Sequence, residues 1–117
     1  MKLIIAGSRD FIDYTELVTE VDEFIKQYPG DYEVISGTAR GADQLGARYA
    51  KENNILLHEF PADWNRHGKS AGYKRNEEMA KIADACICFW DGQSKGTKHM
   101  IDLAKKYNLI IKVIKYK

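Results

Sequence analysis

The sequence predicts a three-layer α/β fold, a doubly wound parallel sheet of five strands with helices on both faces. Three observations predict it. Short apolar, β-branched runs alternate with longer stretches of helical period along the whole chain, the pattern of βαβ units joined by right-handed crossovers. Several short runs are apolar at successive rather than alternate positions, as expected for strands covered on both faces. Gly7, Gly37, Gly92 and Gly96 each fall after a strand and before or at the start of a helix, which gathers them on one edge of the sheet. The order expected for the five strands is 3-2-1-4-5.

The elements follow in turn. Leu3-Ile4-Ile5-Ala6 is the first strand, ending at Gly7. From Thr15 to Tyr28, Leu17, Val18, Val21, Phe24 and Ile25 recur at three- and four-residue spacing, a helix face that Pro29-Gly30 terminates. Tyr32–Ser36 is the second strand. Ala39–Asn53 reads as the second helix, with Ala42, Leu45, Tyr49 and Ala50 inward and Gly41 within its opening. Ile55–Phe60 is the third strand, closed by Pro61, and polar loop residues run through Ser70. Ala71–Ile82 is a helix, Ala85–Trp90 the most apolar strand, Asp91–Gly96 a loop, Thr97–Tyr107 the last helix and Leu109–Ile114 the last strand.

Length and composition set bounds. A chain of 117 residues is one domain, spanning 1–117, and buries enough surface to need no staple. Lys and Arg number 18 against 17 Asp and Glu, a formal net charge of +1, so no global basic field marks a nucleic-acid binder. Cys86 and Cys88 lie two apart on one strand, where they act as small buried hydrophobes. None of His58, His67 or His99 completes a metal site with them. No cofactor or metal is expected. The apolar run after Lys2 stops at Gly7-Ser8-Arg9-Asp10, too soon for a signal-peptide core, and nothing resembles a membrane span. The expected location is the cytoplasm, with no membrane partner.

A doubly wound sheet binds ligands beyond the carboxyl ends of its strands, where the winding reverses, which for the order 3-2-1-4-5 is between the first and fourth strands. Glycines on that edge admit close backbone approach, and helix starts there offer free N–H groups to an anion. Three loops carry the signal. Gly7-Ser8-Arg9-Asp10 places a hydroxyl and a guanidinium at the tip of the first strand; Arg9 either forks onto a phosphate or pairs with Asp10 or Asp43. Ser36-Gly37-Thr38-Ala39-Arg40-Gly41-Ala42-Asp43 is small and hydroxyl-rich, and its Asp43 serves either a ribose hydroxyl or the helix dipole. Asp91-Gly92-Gln93-Ser94-Lys95-Gly96-Thr97 puts the Ser94 and Thr97 hydroxyls beside Gly96 at a helix start. Neither a Walker A loop nor the G-x-G-x-x-G fingerprint is present. Beyond these, Trp64 stands in a polar loop, either stacking on a base or covering a helix end, and Arg75-Asn76 opens the third long helix near the same edge. The lysines near the last strand read as solvated faces, with DNA contact the lesser alternative.

Read in order, Gly7-Ser8-Arg9-Asp10-Phe11, Ser36-Gly37-x-Ala39-x-Gly41-Ala42-Asp43, Pro61-Ala62-Asp63-Trp64, Ala71-Gly72-x-x-Arg75-Asn76-x-x-Met79, Ala83-Asp84 and Phe89-Trp90-Asp91-Gly92-x-Ser94-x-Gly96-Thr97 resemble the small YspA/YpsA-like branch of the SLOG superfamily. The resemblance covers almost the whole chain. It implies the 3-2-1-4-5 sheet and a pocket for a nucleotide or nucleotide-derived ligand, and leaves a homodimer open. More distantly, the chain is similar to the DNA-processing protein A family and to the Lonely Guy phosphoribohydrolases. The latter pair an Arg in R-K-x-x-M with a Glu in P-G-G-x-G-T-x-x-E. Arg75-Asn76-x-x-Met79 matches the first motif, whereas Met100 stands where the second requires Glu. Methionine supplies no charge to an oxocarbenium-like transition state.

Three functions follow in order of expectation. The first is a module that senses or sequesters a phosphorylated nucleoside. The second is an enzyme cleaving nucleoside 5′-monophosphates, with Arg75 on the phosphate and Asp43 or Asp10 at the ribose. The third is a single-strand nucleic-acid adaptor using Arg9, Arg40, Arg66 and Lys69.

Overall fold

The computed structural model describes residues 1–117. Five strands, β1 (Lys2–Gly7), β2 (Glu33–Ser36), β3 (Leu56–Glu59), β4 (Ala85–Trp90) and β5 (Ile110–Lys115), form one sheet in the order β3-β2-β1-β4-β5. Every pairing is parallel. The long helices are α1 (Tyr14–Gln27), α2 (Ala42–Glu52), α4 (Ala71–Ile82) and α5 (Lys95–Lys106). A single helical turn, α3 (Trp64–His67), runs into a 3-10 turn at Gly68–Ser70.

The period of two in β1 and β4 explains the three layers. Leu3 and Ile5, with Ala85, Ile87 and Phe89, point to one face and pack against Leu17, Val21 and Phe24 of α1 and Tyr49 and Ala50 of α2. Ile4, Ala6, Cys86 and Cys88 point to the other, against Met79 and Ala80 of α4 and Met100, Ile101, Leu103 and Ala104 of α5. The continuous apolar runs are thus two interleaved alternations, each serving a different core. Both cysteines are free and fully buried, their sulfurs 3.4 Å apart. No helix is long and apolar enough to cross a membrane.

Three expected boundaries shift. The second helix begins at Ala42 instead of Ala39, because Gly41 takes φ +79° and ends the preceding loop outside the helix. That backbone is open to glycine alone, and a Cβ here would overlap the Ser8 carbonyl and fall 2.6 Å from that of Arg9. The last helix begins at Lys95, two residues before Thr97, because the Ser94 side chain caps it. The segment expected as polar loop through Ser70 holds α3, capped by Asp63 accepting from the Arg66 N–H at 3.1 Å.

Candidate functional site

β1 and β4 are neighbours, yet their following helices pack on opposite faces of the sheet, so a cleft opens between them at the carboxyl edge. The cleft has a volume of about 90 Å³. Its walls carry Arg9, Asp43, Arg75, Asn76, Ser94 and Gly96, and Met79 and Met100 supply its apolar part. Two wider recesses, about 360 and 200 Å³, adjoin it, and Arg9 and Arg75 border all three.

Arg75 is the best-anchored cation of the site. Its Nη1 donates to the Gly37 and Phe60 carbonyls and its Nε donates to Asn76 Oδ1 at 3.0 Å. Asn76 is buried; its Nδ2 donates to the Gly96 carbonyl at 3.3 Å and to His99 Nδ1 at 3.2 Å. This assigns the neutral ring with its proton on Nε2, and burial holds His99 below the usual histidine range. One chain of bonds therefore runs from the β2–α2 loop through α4 to the start of α5.

Asp43 is 6% exposed. Burial pushes its carboxyl up to about 6, while the Arg75 charge and the Ala39 N–H, 3.2 Å away, pull the other way. Arg75 and Asp43 face each other without closing an ion pair. The ion pairs of the fold lie elsewhere and involve none of Arg9, Arg40, Lys69 or Arg75.

At the start of α5, Asp91 Oδ1 accepts from the Gln93 and Ser94 N–H groups at 2.8 and 2.7 Å. Ser94 Oγ accepts from both the N–H and the hydroxyl of the buried Thr97. The N–H groups of Lys95 and Gly96 have no protein acceptor, and the space around Gly96 is open. This is a free helix N-terminus facing a cationic cleft.

The residues singled out from sequence divide into three sets, with Asp10 apart from all of them. Gly7, Arg9, Asp43, Arg75, Asn76, Ser94, Gly96 and Thr97 meet at the cleft, and Gly37, Thr38 and Trp64 border the adjoining recess. Thr38 holds φ +67°, a strained conformation for a β-branched residue. Ser8, Ser36, Gly41, Ala42, Asp91 and Gly92 build the loops instead. The Asp91 N–H donates to Ser8 Oγ at 3.2 Å, and Ser36 Oγ donates to the Asp43 carbonyl at 2.9 Å while accepting from the Thr38 N–H. Gly92, at φ +85°, turns the loop beside Lys115. Asp10 points away from the cleft and pairs with Tyr116 and Lys117. Tyr73 borders the 200 Å³ recess with Trp64 and was not among the residues read from sequence. Its place three positions before Asn76, next to Gly72 and two before Arg75, was the available signal.

The fold and cleft define a Rossmann-like α/β protein with its site at the switch point of the sheet. Residues 1–67 match the model of the YAcAr family, described as the YspA, cpYpsA-related SLOG family. The chain is also 36% identical over 111 residues to the gene 61 protein of Mycobacterium phage D29, covering 90% of this chain and 89% of that protein. The protein belongs to the YspA, cpYpsA-related SLOG family. No group of three or more His, Cys, Asp and Glu side chains stands ready to hold a metal ion.

Proposed function

We propose that the protein binds a phosphorylated nucleoside at the carboxyl edge of its sheet and holds it without cleaving it, as a sensor or sequestering module. One observation carries this reading: Arg75, Arg9 and the open N-terminus of α5 at Gly96 converge on one polar cleft, and neither arginine is neutralised by an ion pair. A phosphate accepts from N–H groups at a helix start and from a guanidinium fork, so these groups suit it in number and in sign. Family membership points to a nucleotide-related role in the same direction.

The test is a thermal-shift and calorimetric titration with nucleoside monophosphates on the wild-type chain and on Gly96→Asp. A ligand at about a hundred times its dissociation constant adds roughly 2.7 kcal/mol. The substituted helix start has open space for the new side chain, so Gly96→Asp keeps the fold but places a carboxylate against the phosphate. Loss of the shift is the expected result; an unchanged affinity would falsify the cradle.

A hydrolytic reading has one observation in its favour. The Asp43 carboxyl lies in the cleft beside Arg75 with its pKa raised to about 6, the condition of a group able to exchange a proton near neutrality. In such a reaction water adds at the anomeric carbon, and the base leaves with the bonding pair and gains a proton. Against it, Met100 lines the cleft where the Lonely Guy motif carries its Glu. Chromatography of each monophosphate after prolonged incubation decides: no free base is expected, and base release that Asp43→Asn abolishes would establish the enzyme.

A further inference from the structure

We propose that the recess between Trp64 and Tyr73 is a nucleobase platform, which assigns the ligand's base to α3 and α4 and its phosphate to the start of α5. The proposal rests on the phosphate reading above and adds to it the part of the ligand that gives selectivity for a nucleotide over a simple phosphate ester.

Trp64 is 54% exposed and Tyr73 44% exposed, yet neither sits on a loose segment. Trp64 opens α3, which Asp63 caps at one end and Gly68, at φ +55°, stops at the other. The Tyr73 ring packs edge-on against His99, centroids 4.5 Å apart at 77°, and His99 is held by Asn76. Two aromatic rings are therefore fixed in position with much of their surface unburied, bordering one recess of about 200 Å³.

Gly72 lies beside both rings. A Cβ there would stand 3.7 Å from Trp64 Cη2 and 3.7 Å from Arg75 Nη2, ordinary contact distances, so no protein atom demands glycine. A glycine within a helix costs roughly 1 kcal/mol against alanine. What the missing side chain does is leave room in the recess beside Trp64. Around it stand Arg9, Lys69 and Arg75 and no carboxylate.

The recess is continuous with the phosphate cleft, since Arg9, Arg75, Asn76 and Gly96 border both. A ligand that fills the two together has an anion at one end and a flat π-surface at the other. Base–aromatic stacking serves any of the bases, because each has a π-face.

The experiment is calorimetry on the full chain with AMP, GMP, CMP and UMP, and with ribose 5-phosphate as the base-free probe. The variants are Trp64→Ala, Tyr73→Ala and Gly72→Leu. Both aromatic changes remove exposed side chains, and the third fills the recess from a position where a Cβ meets only ordinary contacts. At least one mononucleotide is expected to bind roughly tenfold or more tightly than ribose 5-phosphate. Each variant is expected to lose that margin while binding ribose 5-phosphate as the wild type does. Equal affinity for mononucleotides and ribose 5-phosphate in the wild type overturns the platform and leaves the phosphate cradle standing, as does a margin that survives all three substitutions. Binding of neither class overturns the phosphate reading and the platform with it. A short single-stranded oligonucleotide binding tenfold more tightly than any mononucleotide also overturns the proposal, by giving the rings to a strand.

Discussion

The Asp43 carboxylate and the Arg75 guanidinium flank the place where a side chain on Gly37 would begin: a Cβ there would lie 2.8 Å from Asp43 Oδ2 and 2.9 Å from Arg75 Nη1. The two charges attract each other, yet no ion pair closes between them. Glycine at this position keeps the gap clear at the tip of β2, where the cleft and the wider recess meet.

Gly37→Ala tests what the gap is for. The new methyl must push aside the buried Asp43 carboxylate or the anchored Arg75 tip, both under 3 Å away, so the stability change is expected to be about 1–3 kcal/mol. Ligand affinity should fall roughly tenfold as the guanidinium leaves its anchored position. Denaturant unfolding set beside a nucleotide titration reads both. A normal affinity in the folded variant would show that the position of the Arg75 tip does not matter to binding.

The buried Asp43 also makes a prediction in pH. Its carboxyl titrates at about 6 in the folded chain, pushed up by burial, against an ordinary value of 3.8. Between these values the native state holds a proton that the unfolded state has lost. The stabilisation is therefore complete below about pH 4 and lost as pH rises through 6. Two units correspond to about 3 kcal/mol. Asp43→Asn removes this titration, so its stability relative to wild type should climb by about 2–3 kcal/mol between pH 4 and pH 7. Asp10, Glu33, Glu52 and Asp91 have lowered pKa values and act oppositely in acid, but they are common to both proteins and cancel in the difference. Parallel stability curves would mean that Asp43 is ionised throughout.

How much of this could be read in advance depends on how far apart the partners lie in the chain. The layers were legible because Leu3–Ala6 and Ala85–Trp90 are apolar throughout and alternate with helical stretches, as in a covered parallel sheet, whereas the strand order leaned on the family resemblance. Arg75 and Gly96 could be placed on the carboxyl edge of the sheet from the order of strands and helices alone. The roles of Ser8, Ser36 and Asp10 could not. A hydroxyl free for a ligand and one engaged with the backbone look alike in sequence. The partner of Ser8 is Asp91, and those of Asp10 are Tyr116 and Lys117. The α3 turn was hidden for another reason: four residues are too few to show a helical period, and only the Asp63 cap marks it.

The β2–α2 loop depends on Gly41, and its substitution is a test of the fold alone. At φ +79° and ψ −129° no side chain is comfortable, and the carbonyls of Ser8 and Arg9 occupy the space a Cβ needs. Those carbonyls belong to the loop that carries Arg9, so the clash forces the β1–α1 and β2–α2 loops apart. Gly41→Ala should cost at least about 2 kcal/mol in denaturant unfolding. A cost under roughly 0.5 kcal/mol, the range of ordinary surface substitutions, would mean that the loop has another conformation within easy reach.

Arg9 and Arg75 border the same cleft but differ in how the fold holds them, and that difference separates binding from stability. Arg9 is exposed, and no protein acceptor or carboxylate engages its guanidinium. Arg9→Met should therefore leave stability within about 0.5 kcal/mol of wild type while lowering affinity for a nucleoside monophosphate about tenfold and flattening its salt dependence. Arg75 donates to Gly37, Phe60 and Asn76 and is the largest opposing influence on the raised Asp43 pKa. Arg75→Met strips those acceptors and leaves Asp43 without its nearby cation, so it should weaken the fold by about 1–3 kcal/mol as well as abolish binding. Paired calorimetry and unfolding on the two variants give the comparison. Equal stability losses would mean that Arg9 has a structural partner, and undiminished binding in both would remove the anion from this cleft altogether.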